Sequence, residues 1–472
     1  MAHSHREATS QLRREMGFWD VLLFNIAAVL GPRWIAAAAH NGTSSLSLWV
    51  LAAIFFFLPT ALVITELSTR FPSEGGLYVW TREAFGDFHG FVAGWAYWVY
   101  SFFYFPGLLV ASTAMGAYIG GIGHSHLAND RMFLLMGSLL LLAVAVGLNI
   151  VGLNIGKWLQ NAGGVGTYAP LLILVAIALA VYAHHGSQVH ITWRSTLPVW
   201  DFDTVNFWSQ IAFAFTGMEL VCAMSEEVHD PKRTFPRAIL GSGILIAIMY
   251  ILGTLATMVL VSPANVDPKS GVFQSITSGS HLLGIGFVGV LAALLVTVGN
   301  AGGVGTTVAG VARVPFAVGI DSYLPAFFGK IHPRWRTPYI SILIQAGISG
   351  IILIVAQVSE TVNGAYQVLV DAAIILYFLP FLYMYAAAIK LAYRADRRES
   401  SDAVLIPGGR AGVWATGTLG FLICLLSMVL SMIPPGETTN KAIFELKLLG
   451  GTGIALLVGL ALYWRAKKMR AA

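Results

Sequence analysis

Three ionisable side chains stand inside long apolar stretches of the sequence, namely Arg33, Glu219 and Asp371. A charged side chain inside a lipid bilayer costs about 2.5–3.5 kcal/mol or more, so such groups generally face a protein interior or a water-filled cavity. There they bind ions and polar ligands, carry protons, or pair with one another. These residues therefore predict the binding and release of charged groups within a membrane, or ion pairs that hold helices together.

Arg33 and Glu219 each lie beside residues that interrupt an α-helix. Residues 31–34 read Gly-Pro-Arg-Trp in the middle of the apolar run 17–40, and residues 213–219 read Phe-Ala-Phe-Thr-Gly-Met-Glu in a second run. Proline removes a backbone donor and glycine loosens a helix. A broken helix at membrane depth is tolerated only inside protein or beside a cavity. The two interruptions therefore predict a binding site built from unwound helix ends.

The composition places these residues in an integral membrane protein. The chain has 472 residues, of which 57% are hydrophobic and 11% are charged, and this is too apolar for a soluble domain. About 20 apolar residues cross a bilayer as a helix. We predict an all-α membrane protein with twelve spans, surrounded by lipid and without a nucleic-acid partner. The spans are residues 17–40, 46–69, 88–120, 131–150, 160–183, 204–228, 238–262, 284–312, 338–358, 364–394, 412–432 and 443–465.

The Lys and Arg residues predict how the chain is oriented. With the N-terminus inside, 22 of the 28 fall in inward loops and tails, five fall in outward loops, and the remaining one is Arg33. Cytoplasmic loops carry the excess of Lys and Arg. We therefore expect a multi-pass protein of the cytoplasmic (inner) membrane with both termini in the cytoplasm.

The two interrupted spans also predict the internal organisation, because they are five spans apart. This spacing indicates inverted repeats with a site at their interface. The expected parts are a cytoplasmic tail at 1–16, a core at 17–394 with repeats at 17–183 and 204–394, two accessory helices at 412–465, and a tail at 466–472.

Spans five and eight share a heptapeptide of small residues. Residues 161–167 and residues 300–306 both read Asn-Ala-Gly-Gly-Val-Gly-Thr. Neither is a nucleotide-binding loop, because no strand precedes it and no Lys-Ser/Thr pair follows it. One interpretation is close packing of helices through small residues. The other is that both helices leave room for something bulky between them.

In their order along the chain, four motifs resemble those of the amino acid–polyamine–organocation (APC) superfamily, and within it the amino acid permeases. The motifs are Pro-Ser-Glu-Gly-Gly-Leu-Tyr-Val-Trp at 72–80, Phe-Thr-Gly-x-Glu at 215–219, Glu-Glu through Pro at 226–236, and Asp321 through Pro325 with Thr337-Pro338. The resemblance covers nearly the whole chain. It implies a LeuT-type fold, with five plus five helices in inverted repeat, discontinuous helices one and six, and two extra helices.

The resemblance also implies a substrate site. The unwound part of helix one would receive the substrate carboxylate, carbonyls of the helix-six break would take the α-amine, and an aromatic near Phe213 would act as a gate beside an acid matching Glu219. Two features depart from the family pattern. The family usually carries a Gly-Ser/Thr-Gly run in helix one, where Pro32 and Arg33 stand here, and many members place a Lys in helix five near Thr167.

Three roles are open for Arg33. In the first, Arg33 turns toward the small-residue faces of spans five and eight and acts as a fixed cation. In the second, it points into the site and pairs with a substrate carboxylate, which the planar guanidinium binds well through two hydrogen bonds. In the third, it forms a permanent ion pair with Glu219 or Asp371. In the first role its acceptors would be Thr167, Thr306 or Thr307. Asp371 alone also fits a hydrogen bond that packs helices.

We therefore expect a secondary active amino acid transporter that works by alternating access, through proton coupling or exchange, with no cofactor. Cationic substrates would be repelled by Arg33 at low dielectric, which favours neutral or acidic amino acids. The candidate substrate-binding residues are Gly31, Pro32, Arg33, Trp34, Phe213, Phe215, Thr216 and Gly217. The candidate gating or coupling residues are Glu219, Arg33, Thr167, Thr306 and Asp371.

Other functions stay open. A cationic amino acid or polyamine transporter of the same fold is one, and a sensor that binds amino acids without transporting them is another. A membrane enzyme would need buried His residues at metal-ligand spacing, whereas most of the twelve His residues fall in loops and tails. The expected partners are a small-molecule substrate and the lipid bilayer, and the sequence does not indicate an oligomeric state.

Overall fold

The computed structural model describes residues 15–71, 75–151, 153–199, 201–320, 323–356, 362–394, 403–434 and 440–471. Its α-helices, in chain order, are α1 Phe18–Val29, α2 Pro32–His40, α3 Ser45–Ala52, α4 Leu58–Arg70, α5 Leu77–Phe85, α6 Asp87–Gly116, α7 Arg131–Val151, α8 Leu153–His185, α9 Trp193–Thr196, α10 Phe202–Ala214, α11 Pro231–Leu260, α12 Gly271–Leu282, α13 Phe287–Ile320, α14 Tyr339–Ala356, α15 Val362–Leu391, α16 Gly409–Ser431 and α17 Lys441–Ala471.

Shorter helical turns complete these elements. A π-helix, Ala53–Phe57, joins α3 to α4 within one span, and the 3₁₀ helices are Ala117–Gly120, Ile122–Asn129, Leu220–Glu227, Pro263–Asn265 and Ala326–Gly329. Over the described ranges, the extended pairing consists of one isolated bridge between Met16 and Val228. The expectation of an all-α protein is therefore confirmed.

Eleven helical segments of the described chain are long and apolar enough to cross a membrane. They correspond to the predicted spans except span six, which lacks a long enough helix because α10 ends at Ala214 after 13 residues. The chain then continues through Gly217 into the 3₁₀ helix Leu220–Glu227. Within the described chain, the one predicted span without a long helix is thus span six, which is one of the two spans that the sequence marks as broken.

The first span is broken between α1 and α2, as residues 31–34 predict. Leu30 and Gly31 have extended backbone, with ψ of 103° and 113°. Pro32 then occupies the first position of α2, where its missing N–H costs nothing because that group has no partner inside the helix. Gly31 is required for space, since a Cβ atom there would lie 2.7 Å from the Trp34 ring.

The second break brings span six against the first. Gly217 has φ of +112°, a conformation that other residues rarely adopt. A Cβ atom on Gly217 would lie 3.2 Å from Val29 Cγ2 and 3.4 Å from the Ala28 carbonyl oxygen. The two unwound segments are therefore in direct contact at the centre of the bundle.

The two small-residue heptapeptides pack helices closely. A Cβ atom on Gly163 of α8 would lie 2.7 Å from Cα of Gly302 in α13, and one on Gly303 would lie 2.8 Å from the Ala27 carbonyl oxygen in α1. Backbones approach this closely only where side chains are missing. The interpretation that these helices leave room for something bulky between them is wrong, and that of close packing is confirmed.

Candidate functional site

A tyrosine joins the two unwound segments. The Tyr250 hydroxyl of α11 lies 2.6 Å from the Val29 carbonyl oxygen and 2.8 Å from that of Ala214, and it accepts a bond from the Gly31 N–H at 3.3 Å. A hydroxyl has one proton, so the two carbonyls share it. The ring is fixed by stacking on Trp49, with centroids 4.2 Å apart and planes 10° apart. One buried side chain therefore sets the relative position of both breaks.

A small enclosed space, here called the central cavity, lies between the breaks. It has about 10 Å³ available to water, which is room for about one molecule. The rings of Trp34 and Phe213 meet edge to face beside it, with centroids 5.8 Å apart. Its lining is Ala28, Val29, Trp34, Tyr100, Tyr104, Phe213, Ala214, Thr216, Gly217, Leu220, Thr307 and Tyr377.

A second space, here called the Arg33 cavity, lies against the other side of the first break. It has about 20 Å³ available to water. Its wall carries no carboxylate among the described residues. The lining is Ala27, Ala28, Val29, Leu30, Gly31, Pro32, Arg33, Tyr104, Leu108, Ala111, Ser112, Met115, Thr167, Asn300 and Gly303.

Arg33 is buried and lacks a carboxylate partner among the described residues. Its side chain is 2% exposed, and its guanidinium carbon lies 4.3 Å from the ring centroid of Trp34 and 4.8 Å from that of Tyr104. The Tyr366 hydroxyl interacts with the guanidinium. Nε and Nη2, however, have no hydrogen-bond partner within the described chain. The group is therefore a buried cation with two unused donor nitrogens.

Glu219 is buried behind the wall of the central cavity and is fully engaged. Its Oε1 accepts bonds from the Tyr97 hydroxyl at 2.7 Å and from the Tyr377 hydroxyl, and its Oε2 accepts from the Gly217 N–H at 3.1 Å. Tyr377 also lines the central cavity. The acid thus reaches the lining of the cavity through the Tyr377 phenol and the Gly217 N–H, and the structure gives no support to an ion pair between it and Arg33.

Asp371 is held within its own helix. Both of its oxygens accept bonds from Gln367 Nε2, at 3.2 and 3.1 Å, one turn earlier in α15. It lines neither of the two cavities. Asp371 therefore does not form the expected hydrogen bond between two helices. It does not form an ion pair with Arg33 either.

The predicted substrate-binding residues divide between the two cavities. The central cavity is lined by Trp34, Phe213, Thr216 and Gly217. The Arg33 cavity is lined by Gly31, Pro32 and Arg33. Phe215 lines neither, because its ring packs at centroid distances of 5.6, 5.6 and 5.4 Å on Trp49, Phe57 and Tyr250. In this structure Phe215 therefore supports Tyr250 and does not line either cavity.

The predicted threonines are spread over the same region. Thr167 lines the Arg33 cavity, and Thr307 lines the central cavity while its hydroxyl donates to the Gly303 carbonyl at 3.0 Å. The side chain of Thr306 lies outside the described part of the structure. So do residues 72–74 and Asp321 of the family motifs.

Sequence reasoning missed several residues of the site. Tyr97, Tyr377 and Tyr250 bond to groups far away in the chain, with separations of 122 to 221 residues, so no local pattern marks them. Asn300 stands in the repeated heptapeptide and lines the Arg33 cavity, but its neighbours there indicate only packing. Of these three tyrosines, Tyr97 stands in a stretch of distinctive composition, the aromatic-rich residues 95–104 of span three.

A buried ion pair was also missed. Arg313 of α13 donates from Nε to Glu227 Oε1 at 2.6 Å and from Nη2 to Oε2 at 3.2 Å, and both side chains are at most 3% exposed. The N–H groups of residues 15 and 16 bond to the Glu227 carbonyl oxygen at 3.0 and 3.1 Å. Glu227 therefore belongs to the packed end of the second break, close to the end of predicted span six.

Comparison with known proteins identifies the family. Residues 16–451 match the family model described as amino acid permease. An uncharacterized transporter of Legionella pneumophila is 29% identical over 93% of this chain and 94% of its own length. A probable agmatine/putrescine antiporter of Lactococcus lactis is 24% identical over 95% and 94%. A serine/threonine exchanger of Bacillus subtilis is 28% identical over 73% and 78%.

The fold matches a solved transporter structure. The crystal structure of MhsT in complex with L-phenylalanine superimposes with a TM-score of 0.66 over 87% of this chain and 98% of that one, at 14% sequence identity. The likeness at this identity concerns the fold, in which the broken first and sixth spans face each other. The chain therefore belongs to the amino acid permease family of the APC superfamily, and it has the LeuT-type fold of a membrane transporter rather than that of an enzyme.

Proposed function

We propose that this permease is a secondary active transporter that moves neutral or acidic amino acids by alternating access, through proton coupling or exchange. The observation that carries the proposal is the central cavity, which lies between two broken helices beside a buried cation without a carboxylate partner in the described chain. Unwound helix ends offer N–H groups to anionic parts of a substrate and carbonyls to cationic parts. The proposed location is the cytoplasmic membrane, with both termini in the cytoplasm.

The proposed binding mode assigns the α-carboxylate to the first break and the α-amine to the second. The carbonyls of the second break already have hydrogen-bond partners in this closed arrangement. The Phe213 carbonyl accepts a bond from the Thr216 hydroxyl at 2.6 Å, and the Ala214 carbonyl accepts one from the Tyr250 hydroxyl. The central cavity is too small for an amino acid, so the substrate must enter as the two breaks separate. The Trp34–Phe213 ring contact is the proposed gate.

Glu219 is the proposed coupling group. A carboxylate that accepts three bonds loses acceptor capacity when it gains a proton, so protonation would loosen Tyr377 from the wall of the central cavity. A proton taken up there would thus be linked to rearrangement of the site. Because Asp371 contacts neither cavity, it is the second candidate.

The charge of Arg33 favours neutral and acidic substrates over cationic ones. Two like charges at 4 Å repel each other by about 4 kcal/mol at an effective dielectric constant of 20. Among the described residues that line the two cavities, none is an acid that could receive a cation. Glu219, which lies behind the wall of the central cavity, is the group that would favour the alternative of a cationic substrate. The name of the probable agmatine/putrescine antiporter above indicates substrates of that class for that relative.

Counterflow in proteoliposomes tests the proposal. Vesicles loaded with unlabelled serine, glutamate, arginine or putrescine would be given the same labelled compound outside. Accumulation of labelled serine or glutamate, with none of arginine or putrescine, is the expected result. Accumulation of the cations alone would establish the alternative. Saturable binding in detergent without any counterflow would indicate a sensor.

A further inference from the structure

We propose that the Arg33 cavity is an anion-binding subsite, distinct from the central cavity, that takes a small anionic group. The group is either the side-chain carboxylate of an acidic amino acid or a free halide, which share the chemistry that a guanidinium edge recognises. If the bound group is the side-chain carboxylate, acidic amino acids are the preferred substrates, and this part of the inference rests on the proposed function.

The first step of the argument is the unused donor capacity of Arg33. Its side chain is 2% exposed, and Nε and Nη2 have no partner within the described chain. A buried charge that lacks a counter-charge is unfavourable even where a hydroxyl such as that of Tyr366 contacts it, and the penalty is relieved when a counter-charge with hydrogen-bond acceptors joins it. Trp34 and Tyr104 contact the guanidinium through their rings, and such contacts leave the in-plane N–H donors free.

The second step is the character of the wall. The Asn300 side-chain amide donates to the Met115 thioether at 3.3 Å, and a thioether is a weak acceptor. The positive end of α2, a helix of nine residues, also lies at the cavity, because Gly31, Pro32 and Arg33 form part of the lining. An amide side chain and a helix N-terminus therefore line the same space as the arginine, and the described lining contains no acid to compete for it.

The third step is size and position. The cavity has about 20 Å³ available to water, which corresponds to a single small group and not to a whole amino acid. Ala28, Val29 and Tyr104 line both cavities, so they form the partition between them. A substrate whose amine and α-carboxylate lie in the central cavity could pass an acidic side chain beside Tyr104 to Arg33.

Thermal unfolding of the full-length protein in detergent provides the test, because a ligand that binds the folded state raises its apparent stability. Chloride and bromide would be compared with gluconate at equal ionic strength. Glutamate and aspartate would then be compared with serine in gluconate. Arg33→Gln removes the charge, and Arg233→Gln is the matched control, since Arg233 is an arginine with an 83% exposed side chain.

The expected result is a higher unfolding midpoint of the wild type and of Arg233→Gln with an anion of at least one class, and no such rise in Arg33→Gln. A rise with halide, and no advantage of glutamate over serine, assigns the site to a free anion. A rise with glutamate or aspartate well beyond that with serine, reduced by added chloride, assigns it to the substrate side chain. In that case glutamate counterflow falls by more than about tenfold in Arg33→Gln while serine counterflow changes less.

The proposal is overturned if neither halides nor acidic amino acids shift the wild-type midpoint, or if Arg33→Gln shows the same shifts as the control. If Arg33→Gln fails to fold, the wild-type measurements still decide whether halides or acidic amino acids raise the unfolding midpoint. Asn300→Leu, which keeps the charge of Arg33 and removes an amide donor, must then show a smaller rise than the wild type. Absence of any anion effect in the wild type, with intact serine counterflow, refutes only this subsite. Absence of counterflow for every amino acid refutes the proposed function, whatever the anions do.

Discussion

At the scale of single residues, the two membrane acids differ in their surroundings. Glu219 accepts bonds from two phenols and a backbone N–H, and through Tyr377 it contacts the central cavity. Asp371 bonds to Gln367 in its own helix and lines neither cavity. A proton added to Glu219 would therefore disturb hydrogen bonds to two residues that line the central cavity, Gly217 and Tyr377, whereas one added to Asp371 would not. The geometry thus separates the two candidates for coupling.

The first prediction concerns these acids. We expect Glu219→Gln to abolish the response of amino acid uptake to an imposed proton gradient, because the amide cannot take up a proton near neutral pH. Exchange without a gradient should persist. Uptake of labelled serine at external pH 5.5 and 7.5 measures this, with Asp371→Asn as the matched control. A lost response in Asp371→Asn and a normal one in Glu219→Gln would transfer the coupling role to Asp371.

The second prediction concerns Tyr250. Tyr250→Phe keeps the ring on Trp49 but removes the hydroxyl that bonds to the Val29 and Ala214 carbonyls, so both carbonyls lose a buried donor. We expect stability to fall by about 1–3 kcal/mol and transport to be impaired as well, because the relative position of the breaks is no longer fixed.

Tyr385→Phe is the matched control for this variant. It also removes a buried phenol hydroxyl, one that lies 2.6 Å from Thr60 Oγ1 and is not in the lining of either cavity. Its stability should fall similarly while serine counterflow stays near that of the wild type. Equal loss of transport in both variants would show that Tyr250 acts only through general stability.

At the scale of helices, small residues decide how closely the broken first span is held. Glycines of the two heptapeptides bring α8 and α13 into backbone contact, and Gly303 brings α13 against α1. In a membrane this packing replaces much of the hydrophobic drive that holds soluble helices together. It supplies a rigid support on one side of the first break, while Tyr250 fixes the other side.

The third prediction tests that support. Gly163→Ala would place a methyl group 2.7 Å from Gly302 Cα, so the helices must move apart, and we expect a loss of about 1–3 kcal/mol. Gly453→Ala in α17 is the control, because nothing lies within 4 Å of its added Cβ. Its midpoint of thermal unfolding should stay the same or rise slightly, as alanine favours a helix over glycine. Equal midpoints for the two variants would contradict the close packing.

At the scale of the whole molecule, one end of the bundle is tied by the buried Arg313–Glu227 pair, which connects α13 to the end of the second break. The backbone at residues 15 and 16 bonds to the same segment. A movement that opens the central cavity toward this end has to separate these elements. The pair is therefore the proposed closure of that side in the arrangement described.

The fourth prediction follows from its burial. Removal of one member of a buried ion pair leaves an uncompensated charge, so Glu227→Gln should lower the free energy of unfolding by about 3–5 kcal/mol. Glu83→Gln is the control, since Glu83 pairs with Arg394 at 3.1 Å but both side chains are more than a third exposed, and such pairs contribute about 0–1 kcal/mol. Thermal unfolding in detergent compares the two. A smaller effect of Glu227→Gln than of Glu83→Gln would argue against the closure.

Much of the architecture was predictable because it depends on local chemistry. Runs of about 20 apolar residues must become helices in a bilayer, since each backbone group has to be satisfied within its own segment. Proline and glycine beside Arg33, and glycine beside Glu219, interrupt two of these helices for reasons that lie in the residues themselves. The composition and these breaks, together with the order of the motifs, pointed to the permease family.

Tertiary structure alone decided what each charged or aromatic side chain touches. Arg33 could have paired with Glu219 or Asp371 as far as the sequence goes, but packing leaves it between two rings, and Glu219 meets Tyr97 and Tyr377 from other helices. Phe215 and Phe213 are two residues apart, yet they face opposite sides of the break. The physical reason is that periodicity and breakers fix the course of one segment, whereas contacts between remote segments depend on how all the helices fit together.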